Sequence, residues 1–291
     1  MKRVLFLLGL LVYMASALAQ QNRWDSETNK VLVVSHRGDW RNTPENSLRA
    51  IQNCIDMGVD MVEIDLKKTK DGELVLMHDN RIDRTMTGSG TPGQYTLTEL
   101  KSMRLKNGAG VPTRHQIPTL REAMMMAKGQ ILVNIDKGYD YFKETFEILK
   151  ETGTTGQVII KSGLPYDEVM KEYGALLDKV EFMPIVNANS PEALSFVSDY
   201  LKEPRVKAFE LTFKEDIPQV RELIHSIHSA GKQVWINTLW PSLCAGMDDD
   251  RAVELDEKEE SWGKVLEMGV RYIQTDRPKE LIEYLKRKGY K

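Results

Sequence analysis

Short apolar, β-branched runs alternate with amphipathic helical segments along almost the whole chain, and this alternation restricts the fold more than any other feature. The runs cover residues 31–35, 59–66, 131–136, 157–161, 181–186, 206–211, 233–237 and 271–275. Helix-patterned segments lie at 48–57, 120–128, 141–152, 166–177, 191–201, 217–230, 262–268 and 279–288. Gly58, Gly153, Gly231 and Gly269 follow helices and precede strands, as helix-to-strand loops require. Eight strand–helix units predict an α/β fold of the (β/α)8 TIM-barrel type, with an open doubly wound sheet as the lesser alternative. Neither an internal repeat nor a linker marks a second domain.

The first nineteen residues stand apart. Lys2 and Arg3 precede an apolar run over 4–12, and Ala17-Leu18-Ala19 closes the segment. A charged start, a short apolar stretch and a small-x-small ending predict a secretory signal peptide at 1–19, leaving 20–291 as one exported domain, periplasmic or secreted. The run is too short for a comfortable membrane span, so no stable membrane insertion is expected after cleavage. A formal net charge of −3 suggests no nucleic-acid partner. The two cysteines, Cys54 and Cys244, have no zinc-type spacing, and a disulfide between them is the lesser alternative to two free thiols.

The segment Glu63–Asp79 carries the chemistry. Glu63 and Asp65 alternate within an apolar run, so both point to one face of a strand. Asp71-Gly72 then separates this run from a returning arm at 74–78. A two-residue turn there pairs 70 with 73 and, further down, 65 with 78, which sets His78 across from Asp65. Two regions fit no strand–helix unit: 80–118, a small insertion after the hairpin, and 239–260, polar and acidic. Both leave from the C-terminal ends of strands, where barrels hold their active sites, so both are expected to roof the site.

At that end the strands terminate in polar residues. The first ends in Ser35-His36-Arg37-Gly38, the third in Asn134-Ile135-Asp136-Lys137, and the fourth in Lys161-Ser162. Glu63, Asp65 and Asp136 supply three carboxylates, a donor set suited to Mg²⁺ or Ca²⁺, although Asn134 shares the face of Asp136 and is an alternative donor. His36 and His78 fall at the same rim and form a candidate general acid–base pair. Arg37 and Lys161 add positive charge suited to phosphate oxygens, the alternative being structural neutralisation of the acids.

With these residues placed, the chain resembles the glycerophosphodiester phosphodiesterase family. His36-Arg37-Gly38 with Pro44-Glu45-Asn46-Ser47 is similar to its HRG…PEN[ST] opening. Glu63-x-Asp65, Asp71-Gly72 and His78-Asp79 are similar to its ExD…DG…HD, and Thr275-Asp276-Arg277-Pro278 to its TD-x-P. The resemblance implies a metal-dependent hydrolase on a (β/α)8 barrel that cleaves small-molecule glycerophosphodiesters to glycerol 3-phosphate and an alcohol. It implies His36 and His78 as acid and base, Glu63 and Asp65 as ligands of a divalent metal ion, and Lys161 as a phosphate contact. Asp136 stands where the family commonly has Glu, and Trp235, on the glycerol side, lies in WINT where the family commonly has WTVN. Two rival functions stay open: a phospholipid- or phosphoinositide-cleaving phosphodiesterase on a related barrel, and a ligand-binding relative without catalysis.

Overall fold

A computed structural model describes residues 30–291, so the expected signal segment lies outside the described residues. Among the described residues nine strands run in chain order: β1 (Leu32–Ser35), β2 (Met61–Lys68), β3 (Leu74–Leu76), β4 (Leu132–Asp136), β5 (Val158–Ser162), β6 (Glu181–Asn187), β7 (Ala208–Thr212), β8 (Gln233–Asn237) and β9 (Tyr272–Thr275). All except β3 are parallel, and the β1–β2 pairing closes them into a barrel of eight strands. The predicted (β/α)8 architecture is the observed one, and the open-sheet alternative falls.

Alternation along each strand sorts side chains between two cores. Leu32, Val34, Met61, Leu132, Ile159, Met183, Ala208, Trp235 and Tyr272 point inward and fill the barrel. Their neighbours, such as Val33, Val62, Ile64, Val133 and Ile160, pack outward against the helices. Because both faces are covered, the strands read as continuous apolar runs. Inward positions nearer the C-terminal end turn polar, and these build the mouth of the barrel.

The local signals hold the connections in place. Ser47 caps the helix Leu48–Met57 by accepting the Ala50 N–H, and Gly58 ends it in the left-handed region. Thr119 and Glu122 form a reciprocal capping box at the helix Leu120–Ala127. The insertion carries its own small core of Val75, Met77, Ile82, Met86, Leu100, Leu105 and Ile117. The 239–260 region contains a short 3₁₀ turn, Pro241–Leu243, and a short helix, Asp249–Val253. Cys54 and Cys244 are buried free thiols, so the disulfide alternative is corrected.

The hairpin register also needs correction. Leu66 pairs with Leu76, Lys67 with Val75 and Lys68 with Leu74, one residue away from the pairing a two-residue turn imposes. The loop has three residues: Thr69 N–H bonds to Glu73 O (2.9 Å), Gly72 N–H bonds to Thr69 O (3.1 Å), and Gly72 has φ +88°. This is a turn followed by a left-handed bulge residue, which glycine adopts without strain. Thr69 selects it, donating its hydroxyl to Asp71 (2.6 Å) and accepting the Glu73 N–H (3.0 Å). Met77, not His78, therefore lies across from Asp65, with its N–H on the Asp65 carbonyl at 3.0 Å.

Candidate active site

The acids assemble through sheet register. Glu63 and Asp65 point inward from β2, and the parallel pairing sets Asp136 of β4 beside Asp65 and Asn134 beside Glu63. Oxygens of Glu63, Asp65 and Asp136 all lie within 4.8 Å of one another. Burial, then the charges of Asp65 and Asp136, push the Glu63 carboxyl well above its ordinary range, against a hydrogen bond from the Arg37 N–H (2.7 Å). Burial opposes the charge of Asp65 as well. The Lys137 ammonium, 2.7 Å from Oδ1, together with His78 and Asn46 outweighs it and holds that carboxyl below its ordinary range. The cluster thus carries more negative charge than its cations offset at Glu63. Both amide atoms of buried Asn134 lack a partner next to it. An all-oxygen donor set with surplus negative charge fits a hard divalent cation.

Backbone turns aim the remaining groups. At the end of β1, Arg37 (φ 53°) and Gly38 (φ 72°) are both left-handed, and a Cβ on Gly38 would lie 2.7 Å from Ala50 Cβ. Only glycine fits between this turn and the helix behind it. Asn46 follows at φ 55°, its N–H on Arg37 O at 3.0 Å. The Asn46 side chain accepts the Asp65 N–H (3.0 Å) and donates to Asp65 Oδ2 (2.9 Å), locking that carboxylate to the β1 loop. Left-handed backbone at the two non-glycine positions, Arg37 and Asn46, is of the kind that clusters at functional sites.

Each histidine is backed by a carboxylate. His36 Nδ1 lies 2.8 Å from Asp276 Oδ1, which also accepts the Trp40 indole N–H at 2.6 Å. His78 Nδ1 lies 2.7 Å from Asp79 Oδ1. His78 lies beyond the β-ladder, one residue past the Met77–Asp65 hydrogen bond, and so is placed by the bend there rather than by strand pairing. Asp79 is gripped by Arg84 at 2.7 and 3.0 Å, and Arg84 is gripped in turn by Glu45 at 2.5 and 2.8 Å. The Arg84 guanidinium, and then His78, hold the Asp79 carboxyl far below its ordinary range. With Nδ1 engaged, Nε2 is the ring nitrogen left for a substrate in both cases. The His36 side chain is 10% exposed and that of His78 36%.

Lys161 is buried at the same level, ion-paired to Glu210, and its ammonium sits 4.7 Å above the Trp235 ring centre. Asn237 donates to Glu210 Oε1 (2.8 Å) and accepts from Trp235 Nε1 (2.6 Å). Trp235 itself is fully buried and stacks on Tyr272, so it floors the site from within the barrel core and forms no open wall. Trp240, 43% exposed and 6.0 Å edge-on from the His36 ring, takes the position at the mouth. Sequence reasoning missed Asp276, Asp79, Arg84, Asn46, Glu210 and Trp240 as site members. The Asp after His78 and the Asp after Thr275 were visible signals, since a histidine used in catalysis needs an orienting partner.

Comparison with known proteins finds relatives in both sequence and fold. Residues 182–285 match the model of a family described as a domain of unknown function, DUF4996. A glycerophosphodiester phosphodiesterase of Caldanaerobacter subterraneus is 28% identical over 273 residues, covering 89% of this chain and all of the relative. The crystal structure of a glycerophosphoryl diester phosphodiesterase from Parabacteroides distasonis superposes with a TM-score of 0.78 at 27% identity, covering 93% of this chain and 92% of that one. A phosphodiesterase of Oleispira antarctica, solved in complex with its product sn-glycerol-3-phosphate, shares the fold at TM-score 0.67 and 21% identity, covering 88% and 96% of the two chains. In its ordered motifs, in sequence over most of its length and in its barrel, the chain is similar to the glycerophosphodiester phosphodiesterases.

Proposed function

We propose that this protein is a metal-dependent phosphodiester hydrolase that cleaves glycerophosphodiesters to glycerol 3-phosphate and an alcohol. The observation that carries this reading is the convergence, at one barrel mouth, of a three-carboxylate cluster with two carboxylate-backed histidines. The names of the full-length relatives support the substrate class.

Glu63, Asp65 and Asp136 would hold the cation, Mg²⁺ or Ca²⁺, which supplies charge stabilisation to the phosphate oxygens. Arg37 and Lys161 bring fixed positive charge to the same oxygens. One histidine takes, through Nε2, the proton of the attacking oxygen, glycerol's own hydroxyl or a water, as that oxygen bonds to phosphorus. The other gives a proton to the departing alkoxide as the opposite P–O bond breaks; where glycerol's hydroxyl attacks, the cyclic phosphate so formed is opened by water with the two histidines in exchanged roles. Asp276 and Asp79 hold the two rings in the tautomer and orientation this exchange needs. Export, through the segment at 1–19, belongs to the same proposal. Of 239–243, Trp240 is the one large apolar side chain that is exposed, which gives the lipid-cleaving alternative little apolar rim.

The test is release of glycerol 3-phosphate from glycerophosphocholine, glycerophosphoethanolamine and glycerophosphoinositol, with Mg²⁺, with Ca²⁺ and with EDTA. Release that EDTA stops, and that His36→Ala or His78→Ala nearly abolishes without loss of fold, is expected. No release from any of the three, or full turnover in His36→Ala, refutes the reading.

A further inference from the structure

We propose that Asp249, in the acidic segment that follows β8, is a positioning residue for His36 and acts through Asp276. The inference rests on the reading of His36 as a catalytic residue. Asp249 is buried, and both of its oxygens are saturated by donors from three separate parts of the fold. Oδ1 accepts the Thr238 hydroxyl (2.7 Å) and the Trp262 indole N–H (2.9 Å). Oδ2 accepts the Thr275 hydroxyl (2.8 Å) and the Asp276 backbone N–H (2.7 Å). The Asp249 N–H returns to Thr238 O at 2.7 Å. One carboxylate therefore ties the end of β8, the end of β9 and the helix-side Trp262 together.

The far end of this tie is the catalytic ring. Asp276 is clamped at its N–H by Asp249 and at its carbonyl by the Arg41 guanidinium (3.2 Å). Its carboxylate is thereby set between His36 Nδ1 and Trp40 Nε1. A carboxylate that fixes an imidazole tautomer works only if its own position is fixed, and small displacements of such supports cost rate out of proportion to their size. The four donors on Asp249 explain why an acid is needed there. The hydroxyls can reverse, but the Trp262 and Asp276 N–H groups cannot. An amide in place of the carboxylate has one oxygen, so its NH₂ must oppose one of these two N–H groups.

The experiment compares Asp249→Asn, Trp262→Phe, Asp276→Asn and His36→Ala on the fastest-cleaved substrate of the panel above. The readouts are kcat, KM, and the downfield proton signal of the His36 Nδ1–H. Asp249→Asn should lower kcat by about 10–100-fold with KM within about twofold, the range seen when outer supports of a site are removed. It should also weaken the His36 Nδ1–H signal, and Trp262→Phe should produce a smaller change of the same kind. An Asp249→Asn protein with wild-type kcat and an unchanged signal, beside an inactive Asp276→Asn, overturns the inference alone. Full turnover in Asp276→Asn and His36→Ala overturns the reading of His36 and this inference with it. Should Asp249→Asn fail to fold, Trp262→Phe decides: a lower melting temperature with unchanged kcat and signal refutes the positioning role.

Discussion

The Lys161–Glu210 pair offers the sharpest test of how this site is built. Its side chains are 3% and 6% exposed, so neither charge is solvated by bulk water. Burial works against the Lys161 ammonium, and Glu210 first, then Asp136 and Glu63, more than restore it, holding its pKa above the ordinary value. Replacing Lys161 with Met keeps the stem over Trp235 but leaves Glu210 buried with only Asn237 as donor. Breaking a buried pair from one side costs about 3–5 kcal/mol, mostly the penalty of the orphaned charge. The loss of the cation over the Trp235 ring adds about 0.5–2 kcal/mol. Urea unfolding in chelator should therefore show Lys161→Met destabilised by at least about 3 kcal/mol. At roughly 2–4 °C per kcal/mol for a domain somewhat smaller than this one, the melting temperature should fall by at least about 6 °C. Glu210→Gln keeps an oxygen for Asn237 and leaves Lys161 facing Glu63 and Asp136, so it should cost less. The double variant removes both charges and should be more stable than the sum of the singles by at least about 2 kcal/mol. Strictly additive singles, or a Lys161→Met protein within about 1 kcal/mol of wild type, would show that the two charges are not coupled through burial and refute this reasoning.

Two further outcomes follow from the site. Divalent cation should raise the melting temperature, because it binds the folded acid cluster and not the unfolded chain, and Asp136→Ala should remove most of that rise; an undiminished rise, measured by thermal denaturation across a metal titration, places the cation elsewhere. The pH dependence has a definite sign at Asp276. Burial opposes its charge, but the hydrogen bond and charge of His36, with Trp40, hold its carboxyl below the ordinary value of 3.8. A depressed folded value contributes stability that is complete above the unfolded value and is lost as pH falls through the folded one. The stability gap between wild type and Asp276→Asn, from urea unfolding at about pH 7 down to about pH 3, should therefore narrow below about pH 4; a gap that widens on acidification contradicts the assignment.

Much of this was legible in residue order because its cause is local. Alternating strand and helix periods specify eight units and a helix-covered parallel sheet, while closure into a barrel is seen in the β1–β2 pairing. Two-residue alternation puts Glu63 and Asp65 on one face with no help from tertiary contacts. What residue order could not supply was register and reach. The Thr69 and Asp71 side chains converted an apparent two-residue turn into a three-residue one, so His78 arrived near Asp65 through a bend at the end of β3. Parallel pairing between β2 and β4 set Asp136 beside Asp65, far from it in sequence, and left the Asn134 side-chain amide without partners. Trp235 is an inward residue one layer too deep to meet solvent, a depth that barrel stagger decides. Asp276 reaches His36 across 240 residues, and Asp249 reaches Asp276 across 27. Sequence determined which chemical groups this barrel presents at its mouth, because strand period is a property of the chain. Tertiary structure alone decided which groups touch, because hydrogen bonds and ion pairs depend on distances of a few ångströms that only packing sets.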